Sequence, residues 1–378
     1  MSPAGQPHLL HVFSTFVPAG PEMRTVRMIN ALGEGFRHSI LAVDGRTDAA
    51  KELDPAAPVK ILPSIERANT PRTVRALRAL FKREQPDLVL SYNWGAFDSV
   101  IATRSLGWQR RHIHHEDGFN ADESAGFKSR RVWTRRLVLP GTAKVVVPSH
   151  VLAGIADKFW KLRSGKVQLI PNGIDLQAFG AQSQREQRRA ELAIPPGAPV
   201  IGFVGHLRPV KNPVRLIRAF AEVRHSQAPH LLILGEGEER EAIRKAAVAA
   251  DVFGRVHLIG HQSNPAPWYS AMDVFALSSD SEQMPVALLE AMASCLPVVS
   301  TDVGDVAHML PQAQQVLIAS GENRTRKLAK AMQTLVDNRP LRAELGEANR
   351  RRVEERYSFP TMLGAYRDLY NRTLQGAR

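Results

Sequence analysis

Two carboxylates flank the predicted start of one helix and carry the clearest chemical signal in the chain. Glu282 and Glu290 are eight positions apart in an otherwise apolar stretch. Pro285 suits the first helical position, because its missing N–H would have no partner there and its φ is already helical. Glu282 is then expected in the loop before the helix, and Glu290 inside it. Unpaired first-turn amides and the helix dipole favour an anion, so the pattern predicts a phosphate at the amides and hydroxyl groups at the carboxylates.

A basic loop follows the strand predicted over 200–204. Gly205 allows backbone to approach a ligand closely, Arg208 can hold two phosphate oxygens at once, and Lys211 adds a point charge. The alternative is a basic surface loop. The carboxylate pair downstream favours the phosphate interpretation.

Two further strand ends give weaker signals. Gly235 and Gly237 follow the next predicted strand, where a tight turn is as good an explanation as a ligand contact. Gly260 and His261 end another strand, and we expect them near a nucleobase, with a plain loop as the alternative.

In the first half, a glycine and a pair of histidines lie at predicted strand ends. Gly20 comes just after the first strand and suits close approach of backbone and ligand at a helix start. His114 and His115 end the fifth strand, and ligands of open α/β sheets bind beyond the carboxyl ends of strands. A histidine there can donate a hydrogen bond to a sugar. Adjacent side chains on a strand point to opposite faces, which disfavours a metal site.

A basic stretch over 128–139 mixes cations, a tryptophan and aliphatic residues. Such a helix can lie on an anionic membrane. The alternative is a solvated helix whose tryptophan packs inward. Nucleic acid is disfavoured, because no aromatic-studded sheet or recognition-helix pattern accompanies the charge. The candidate acceptor or membrane residues are Arg130, Arg131, Trp133, Arg135 and Arg136.

Composition sets the broad class of the protein. The chain has 378 residues and a net charge of +13, of which +10 lies in residues 1–170. An electropositive first half suggests an anionic partner there. No apolar run is long enough to span a membrane, and the N-terminus has no pattern typical of a secretion signal. The single cysteine, Cys295, excludes an internal disulfide, and its apolar neighbours predict a small buried residue.

The order of predicted elements indicates two doubly wound α/β domains. Short apolar runs alternate with amphipathic helical patterns such as Thr73–Glu84. A Pro-Asn-Gly turn near residue 172 predicts the boundary between the domains. The predicted strands are His8–Phe13, His38–Val43, Val59–Leu62, Leu88–Ser91, Arg111–His115, Lys144–Val147, Val167–Ile170, Val200–Val204, Leu231–Leu234, Val256–Ile259, Val274–Leu277 and Pro297–Ser300.

These motifs, taken in order, resemble the retaining glycosyltransferases of family 4. The resemblance covers nearly the whole chain and rests on the Gly20 turn, the segments 147–149, 170–175, 205–211, 271–274 and 296–304, and the Glu-x7-Glu spacing. It implies a GT-B fold, in which two Rossmann-like domains face each other across a cleft. The implied acceptor-binding domain is 1–172 plus 360–378, because the last helix would cross back. The implied donor-binding domain is 173–359.

The resemblance also implies residue roles. Glu290 would hydrogen-bond the ribose of a nucleotide-sugar donor, and Glu282 would contact hydroxyl groups of the transferred sugar. A histidine, most simply His115, would lie near the anomeric carbon. The donor diphosphate would be held by Lys211, a nearby arginine, Gly20, Gly205 and the segment of Met284, Pro285 and Val286.

Three positions depart from the family pattern. The family usually has arginine where His206 stands, so either His206 or Arg208 would contact the phosphate. Ala19 replaces the first glycine of the usual pair. Gln283 replaces a glycine, and its longer side chain would contact the sugar or alter specificity.

The expected function is transfer of a sugar from a UDP- or GDP-sugar to a glycan or lipid-linked acceptor, with retention of configuration and with neither a cofactor nor a metal. The rival hypotheses are a nucleotide-sugar epimerase of the same fold and a non-enzymatic membrane- or polyanion-binding protein with a relict site. The expected location is the cytoplasm, either free or bound peripherally to the inner face of the membrane.

Overall fold

The computed structural model describes residues 5–66, 69–118, 126–163, 165–180 and 184–377. The chain divides into two compact units, which we call unit 1 (Met1–Pro171 with Met362–Arg378) and unit 2 (Asn172–Thr361). These bounds lie within two residues of the predicted domains. The acceptor and donor roles of the two units stay predictions.

Unit 1 is built on a seven-stranded parallel sheet in the order β3-β2-β1-β4-β5-β6-β7. The strand order reverses between β1 and β4, which is where open α/β sheets bind ligands. The strands are β1 (His8–Phe13), β2 (Arg37–Ala42), β3 (Val59–Ile61), β4 (Leu88–Tyr92), β5 (His112–His115), β6 (Lys144–Val147) and β7 (Val167–Leu169).

Helices connect these strands: α1 (Gly20–Leu32), α2 (Thr70–Glu84), α3 (Asp98–Ser105), α4 (Ser129–Val138) and α5 (His150–Lys158). The predicted helix Thr73–Glu84 is confirmed but begins three residues earlier, at Thr70. Asn69 caps it by accepting a hydrogen bond from the amide of Arg72, which satisfies one unpaired first-turn donor.

Unit 2 is built on a six-stranded parallel sheet in the order β10-β9-β8-β11-β12-β13. Its strands are β8 (Val200–Val204), β9 (His230–Leu234), β10 (Val256–Gly260), β11 (Val274–Leu277), β12 (Val298–Thr301) and β13 (Ile318–Ala319). The remaining helices are α6 (Arg185–Glu191), α7 (Pro213–Phe220), α8 (Arg240–Ala249), α9 (Ala266–Ala271), α10 (Val286–Ala293), α11 (Val306–Met309), α12 (Arg324–Asp337), α13 (Arg339–Arg356) and α14 (Phe359–Ala377), which continues into unit 1.

The predicted fold class, two doubly wound parallel-sheet units, is confirmed. Central strands such as β1, β4 and β9 are buried along their whole length, as strands covered by helices on both faces must be. All twelve predicted strands occur, with ends shifted by at most one residue. The two-residue strand β13 was missed, because so short an apolar run has no detectable periodicity.

The prediction for Cys295 is wrong. The residue is exposed and has a φ of +56° just after α10 ends. The apolar residues on either side of Cys295 belong to the helix before it and the strand after it, whereas Cys295 itself lies in the turn that joins them at the surface.

No helix in the described ranges is long and apolar enough to cross a membrane.

Candidate functional site

The Glu-x7-Glu segment surrounds the start of α10. The helix begins at Val286, and Pro285 lies one position before it with a φ of −68° and a ψ of 118°. The predicted helix start is therefore off by one residue. Glu282 lies in the preceding loop and Glu290 is the fifth residue of the helix. The first-turn amides of a helix have no intrahelical acceptor, so this end of α10 favours an anion.

Glu282 and Lys211 contact each other directly. Lys211 Nζ lies 2.5 Å from Glu282 Oε1, and the same oxygen accepts a hydrogen bond of 2.6 Å from Ser279 Oγ. The side chains of Glu282 and Lys211 are only 10% and 25% exposed. Lys211 follows β8 and Glu282 follows β11, 71 positions apart in the sequence, and the fold joins them in one ion pair beyond the carboxyl ends of these strands.

The backbone around Lys211 is held by the β11–α10 loop. Ser278 Oγ donates to the carbonyl of Lys211 at 2.9 Å, and the amide of Asp280 donates to the carbonyl of Val210 at 2.7 Å. Asn212, with a φ of +44°, caps α7. Lys211 is therefore fixed by a short turn rather than carried on a free loop.

Two residues beyond the sequence prediction support the β11–α10 loop. Arg215 Nη1 donates to the carbonyl of Ser278 at 2.9 Å, and Arg215 also pairs with Asp280. Gly304 has a φ of +51°, and a Cβ there would lie 2.5 Å from the carbonyl oxygens of Glu282 and Gln283. Only glycine fits this close approach.

Glu290 is positioned by Tyr269, which the sequence did not single out. Tyr269 Oη lies 2.8 Å from Glu290 Oε2 and 3.1 Å from the carbonyl of Ala287. Burial, and then the charge of Glu290, raise the pKa of Tyr269 well above its usual value, so the phenol stays a donor. The pair fixes a half-buried carboxylate one turn inside α10.

Three basic residues besides Lys211, namely His206, Arg208 and Arg215, follow β8 and have different surroundings. His206 uses ring Nδ1 to contact the carbonyl of Glu236. Arg215 is occupied by Asp280. Arg208 is exposed, and its guanidinium has no hydrogen-bond or ion-pair partner among the residues the structure describes. Of the two candidates for the phosphate contact, Arg208 is thus the freer side chain, and its role stays a prediction.

The neighbouring loops of unit 2 pack closely around these residues. Gly205 donates to the carbonyl of Leu234, and a Cβ at Gly235 would lie 1.9 Å from the carbonyl of Gly205. Close packing against Gly205 therefore explains why the Gly-x-Gly turn has a glycine at position 235. Gly260 has a φ of +84° and pairs with Gly235, while His261 beyond it is exposed. A nucleobase contact there stays a prediction.

The Asn-Gly turn after Pro171 lies against the Glu-x7-Glu segment. The amide of Asn172 donates to Met284 Sδ at 3.1 Å, and its side chain donates to the carbonyl of Met284 at 3.4 Å. Met284 is 6% exposed. Its side chain is thus structural, which leaves its backbone for the diphosphate contact that the sequence predicts.

In unit 1, Gly20 is the first residue of α1 and is exposed. A Cβ at Gly20 would meet no atom within 4 Å, and its φ is not positive. Neither packing nor backbone strain within unit 1 requires glycine there. That is compatible with the predicted close approach to a ligand, which no contact here tests.

The two histidines at the end of β5 face opposite sides, as predicted for neighbours on a strand. His115 Nδ1 contacts the carbonyl of Ser91 at 3.2 Å, and its ring stacks on Tyr92. His114 Nδ1 contacts Ser91 Oγ at 2.8 Å. Both are fully buried, and burial lowers the pKa of His115 well below its usual value. The structure therefore keeps His115 neutral, and its contact with a sugar stays a prediction.

Arg135 does not belong to an exposed basic surface, and that part of the prediction is wrong. Its side chain is 1% exposed, forms two hydrogen bonds of 3.0 and 3.1 Å to Glu116, and lies over the rings of Trp94 and Trp160. Sequence spacing alone cannot show which arginine of a basic helix finds a buried acid 19 positions away.

The other basic residues of α4 lie partly or fully at the surface. Arg130 is exposed, Arg136 lies over Trp133 at 4.9 Å, and Arg131 lies over Trp94 at 5.2 Å. Trp133 is 57% exposed, so the alternative in which it packs inward is wrong. Leu137, one turn further, is 66% exposed. Its position four residues after Trp133 could have revealed this shared face.

Two family models match the chain, one for each unit. "Glycosyltransferase Family 4" matches residues 18–178, and "Glycosyl transferases group 1" matches residues 184–352. The chain belongs to the glycosyltransferases of the GT-B fold. The epimerase and the non-enzymatic protein are accordingly not favoured.

Similar proteins match most or part of the chain. The "Lipopolysaccharide core biosynthesis glycosyltransferase LpsE" of Rhizobium meliloti is 26% identical over 357 residues, covering 93% of this chain and 95% of its own. A "GDP-mannose-dependent alpha-mannosyltransferase" of Mycobacterium tuberculosis is 30% identical over 264 residues, 66% of this chain and 64% of its own. The fold is similar to the crystal structure of Anabaena HepE in complex with UDP, with a TM-score of 0.83 at 16% identity over 96% of this chain and 99% of that one.

Proposed function

We propose that this glycosyltransferase moves a sugar from a nucleotide-diphosphate sugar to a glycan or lipid-linked acceptor, with retention of configuration and without a metal. The observation that carries the proposal is the Lys211–Glu282 pair beside the start of α10. It brings together a cation for the diphosphate, amides for its oxygens and a carboxylate for hydroxyl groups.

The donor would replace part of the existing pairing. Its diphosphate would compete with Glu282 for Lys211 and accept hydrogen bonds from the first-turn amides of α10. Glu282, still held by Ser279, would then accept from a sugar hydroxyl. Glu290, oriented by Tyr269, would accept from the ribose. The hydroxyls of the donor thus meet carboxylates that are already positioned, which limits the entropy lost on binding.

The transfer itself would need only positioned charges. An acceptor hydroxyl oxygen forms a bond to the anomeric carbon while the bond from that carbon to the phosphate oxygen breaks. The nucleoside diphosphate leaves with the bonding electrons, and its phosphate takes the proton of the hydroxyl. Lys211, Arg208 and the α10 dipole would stabilise the departing charge. Among the residues that the structure describes, none is assigned as a carboxylate nucleophile, and we therefore favour a front-face transfer over a double displacement.

The names of the relatives suggest the substrates. One is a lipopolysaccharide core enzyme and another uses GDP-mannose, so we propose a UDP- or GDP-sugar donor and a lipopolysaccharide-type acceptor. Incubation with UDP-glucose, UDP-galactose and GDP-mannose, with and without EDTA, tests this. Release of UDP or GDP that EDTA does not reduce is expected. An isomerised donor would point to an epimerase, and no turnover to a binding protein.

We also propose that α4 rests on an anionic membrane face. Trp133 and Leu137 offer exposed apolar side chains, and Arg130 and Arg136 offer charge beside them. Amphipathic helices with this composition bind at the headgroup boundary. Arg135 takes no part, because it is buried.

Sedimentation with phosphatidylglycerol vesicles tests the membrane proposal. Exchange of both Arg130 and Arg136 for serine should weaken binding about tenfold or more, since each basic residue contributes about 1 kcal/mol near an anionic surface. The charge-matched control exchanges the exposed Arg75 and Arg78 of α2 for serine. Equal losses in the two variants would show that only net charge matters.

A further inference from the structure

Glu22 is a buried carboxylate with an unused oxygen. It is the third residue of α1 and is 9% exposed. Its Oε2 is buried and has no hydrogen-bond partner among the residues that the structure describes. Buried polar atoms are paired in the great majority of cases, and an orphaned one destabilises a fold unless something else uses it.

Arg24, the cation whose charge acts on Glu22, is already paired with another carboxylate. Arg24, two residues on, is held by Asp117 through two hydrogen bonds of 2.5 and 2.9 Å. Burial, and then the charge of Asp117, raise the pKa of Glu22 to about 7, although its own backbone amide and Arg24 lower it. A structural ion pair would have had the opposite result.

Glu22 shares its surroundings with a second unpaired group. His115 Nε2 is also buried without a hydrogen-bond partner in the described structure. The charge of Arg24 acts on both Glu22 and His115, and the Tyr366 ring of α14 lies 5.9 Å from Arg24 and 5.9 Å from His115. Two acid–base groups with unused positions are therefore both within range of the charge of Arg24, near the carboxyl end of the unit 1 sheet, where ligands of such sheets bind.

We propose that Glu22 is an acceptor-binding residue whose carboxylate accepts a hydrogen bond from a hydroxyl group of the acceptor sugar. The proposal rests on the proposed glycosyl transfer. A sugar hydroxyl supplies the hydrogen-bond donor that Oε2 lacks, whereas the oxygens of an ionised diphosphate only accept hydrogen bonds. The α1 start that carries Glu22 is at the surface, since Ala19 and Gly20 are exposed.

If Glu22 binds the acceptor, its charge state should make kcat/KM for the acceptor depend on pH. The groups facing it are Asp117 after β5 and Arg24 on α1, with His115 and Tyr366 beyond them. Because the ionised form is the better acceptor, kcat/KM for the acceptor should rise with pH through about 7. The rate of donor hydrolysis measured without acceptor should not rise with pH in this range.

The test compares the native chain with Glu22→Gln. The donor is the best nucleotide sugar from the screen above, and the acceptor probes are octyl glucoside, octyl galactoside and deacylated lipopolysaccharide core oligosaccharide. KM for the acceptor should rise about 10- to 150-fold, because a hydrogen bond to a charged group is lost. KM for the donor and hydrolysis without acceptor should stay within about twofold, and the pH limb near 7 should disappear. Glu52→Gln, an exposed carboxylate of unit 1, is the matched control.

The outcomes separate this inference from the proposed function. Native protein that releases no nucleotide from any donor refutes the proposed function. Native protein that hydrolyses donor, but is accelerated by none of the probes, overturns the role of Glu22. So does a Glu22→Gln variant that keeps the acceptor KM and the pH limb, or one that loses donor and acceptor use equally. Glu22→Asp, which keeps the charge, should recover the pH limb, and thermal unfolding confirms that both variants fold.

Discussion

At the scale of single residues, the proposed donor site has its cation and its carboxylate paired with each other. Lys211 and Glu282 neutralise each other at 2.5 Å, with side chains 25% and 10% exposed. A phosphate that binds Lys211 must compete with this pair, and it gains a cation that the fold has already positioned. If Lys211 turned to such a ligand, Glu282 would keep its hydrogen bond from Ser279.

Lys211→Ala should lower kcat/KM for the donor by about 10- to 150-fold, since hydrogen bonds to charged groups contribute about 1.5–3 kcal/mol. Initial rates of nucleotide release at varied donor concentration measure this. Lys245→Ala removes an exposed lysine of α8 in the same unit and should leave kcat/KM unchanged. An unchanged kcat/KM in Lys211→Ala would contradict the phosphate assignment.

The residues that the sequence could single out as candidates are those whose type alone indicates chemistry near a strand end. Glu282, Glu290 and Lys211 are such residues. Tyr269 and Ser279 were missed, because each acts only through the carboxylate that it contacts, and sequence does not show contacts. Arg135 was misassigned for the same reason, since its burial depends on Glu116.

At the scale of elements, the loop that carries Glu282 depends on a neighbouring turn. Gly304 follows β12, and its α-carbon lies where a side chain would meet two carbonyl oxygens of the β11–α10 loop. The amide of Asp305 also donates to the carbonyl of Gln283 at 2.9 Å. The position of Glu282 is therefore set partly by a glycine that never needs to contact substrate.

Gly304→Ala should destabilise the protein by about 2 kcal/mol, because alanine must adopt a φ of +51° and push two carbonyls away. KM for the donor should rise as well. Urea unfolding and donor kinetics measure the two effects. Gly254→Ala is the control, since a Cβ there meets no atom within 4 Å and its φ is not positive. Equal stabilities of the two variants would refute the close approach.

The buried ion pair between Arg135 and Glu116 helps to attach helix α4 to the rest of unit 1. Burial alone would raise the pKa of Glu116, but the hydrogen bond from His114 and the charge of Arg135 hold it below its usual value. Arg135→Met should therefore cost about 3 kcal/mol or more, because it leaves a buried carboxylate without its cation. Arg136→Met, at the surface over Trp133, should cost less than about 1 kcal/mol. Urea denaturation distinguishes the two, and similar losses would contradict the anchoring role of Arg135.

At the scale of the whole molecule, the two sheets were predictable because buried parallel strands read as short apolar runs between helical patterns. The strand β13 and the exposed turn at Cys295 could not be predicted. Two residues are too few to show a hydrophobic periodicity, and the residue types of a turn do not indicate whether it is buried. The sequence also does not show that unit 1 buries many histidines in its sheet: His8, His11, His38, His112, His114 and His115.

These histidines should make unit 1 the acid-sensitive half of the protein. Burial lowers the pKa of His11 and His112 well below 6.5, and that of His38 to about 4. The unfolded chain takes up these protons near pH 6.5 while the folded chain resists them. Stability is therefore full above 6.5 and falls as the pH drops from 6.5 towards 4, by about 2 kcal/mol at pH 5 for one such histidine. Glu22 has the opposite sign, because its raised pKa favours the folded state at low pH, but it is a single group.

Calorimetric unfolding between pH 7.5 and 5 should show the transition of unit 1 moving to lower temperature faster than that of unit 2, with UDP or GDP added to mark the donor-binding transition. His38→Asn should make the pH dependence shallower, because the variant lacks one group that must gain a proton on unfolding. His150→Asn exchanges an exposed histidine of the same unit and should leave the slope unchanged. If the His38 and His150 variants titrate alike, buried neutral histidines do not control the acid stability of the sheet.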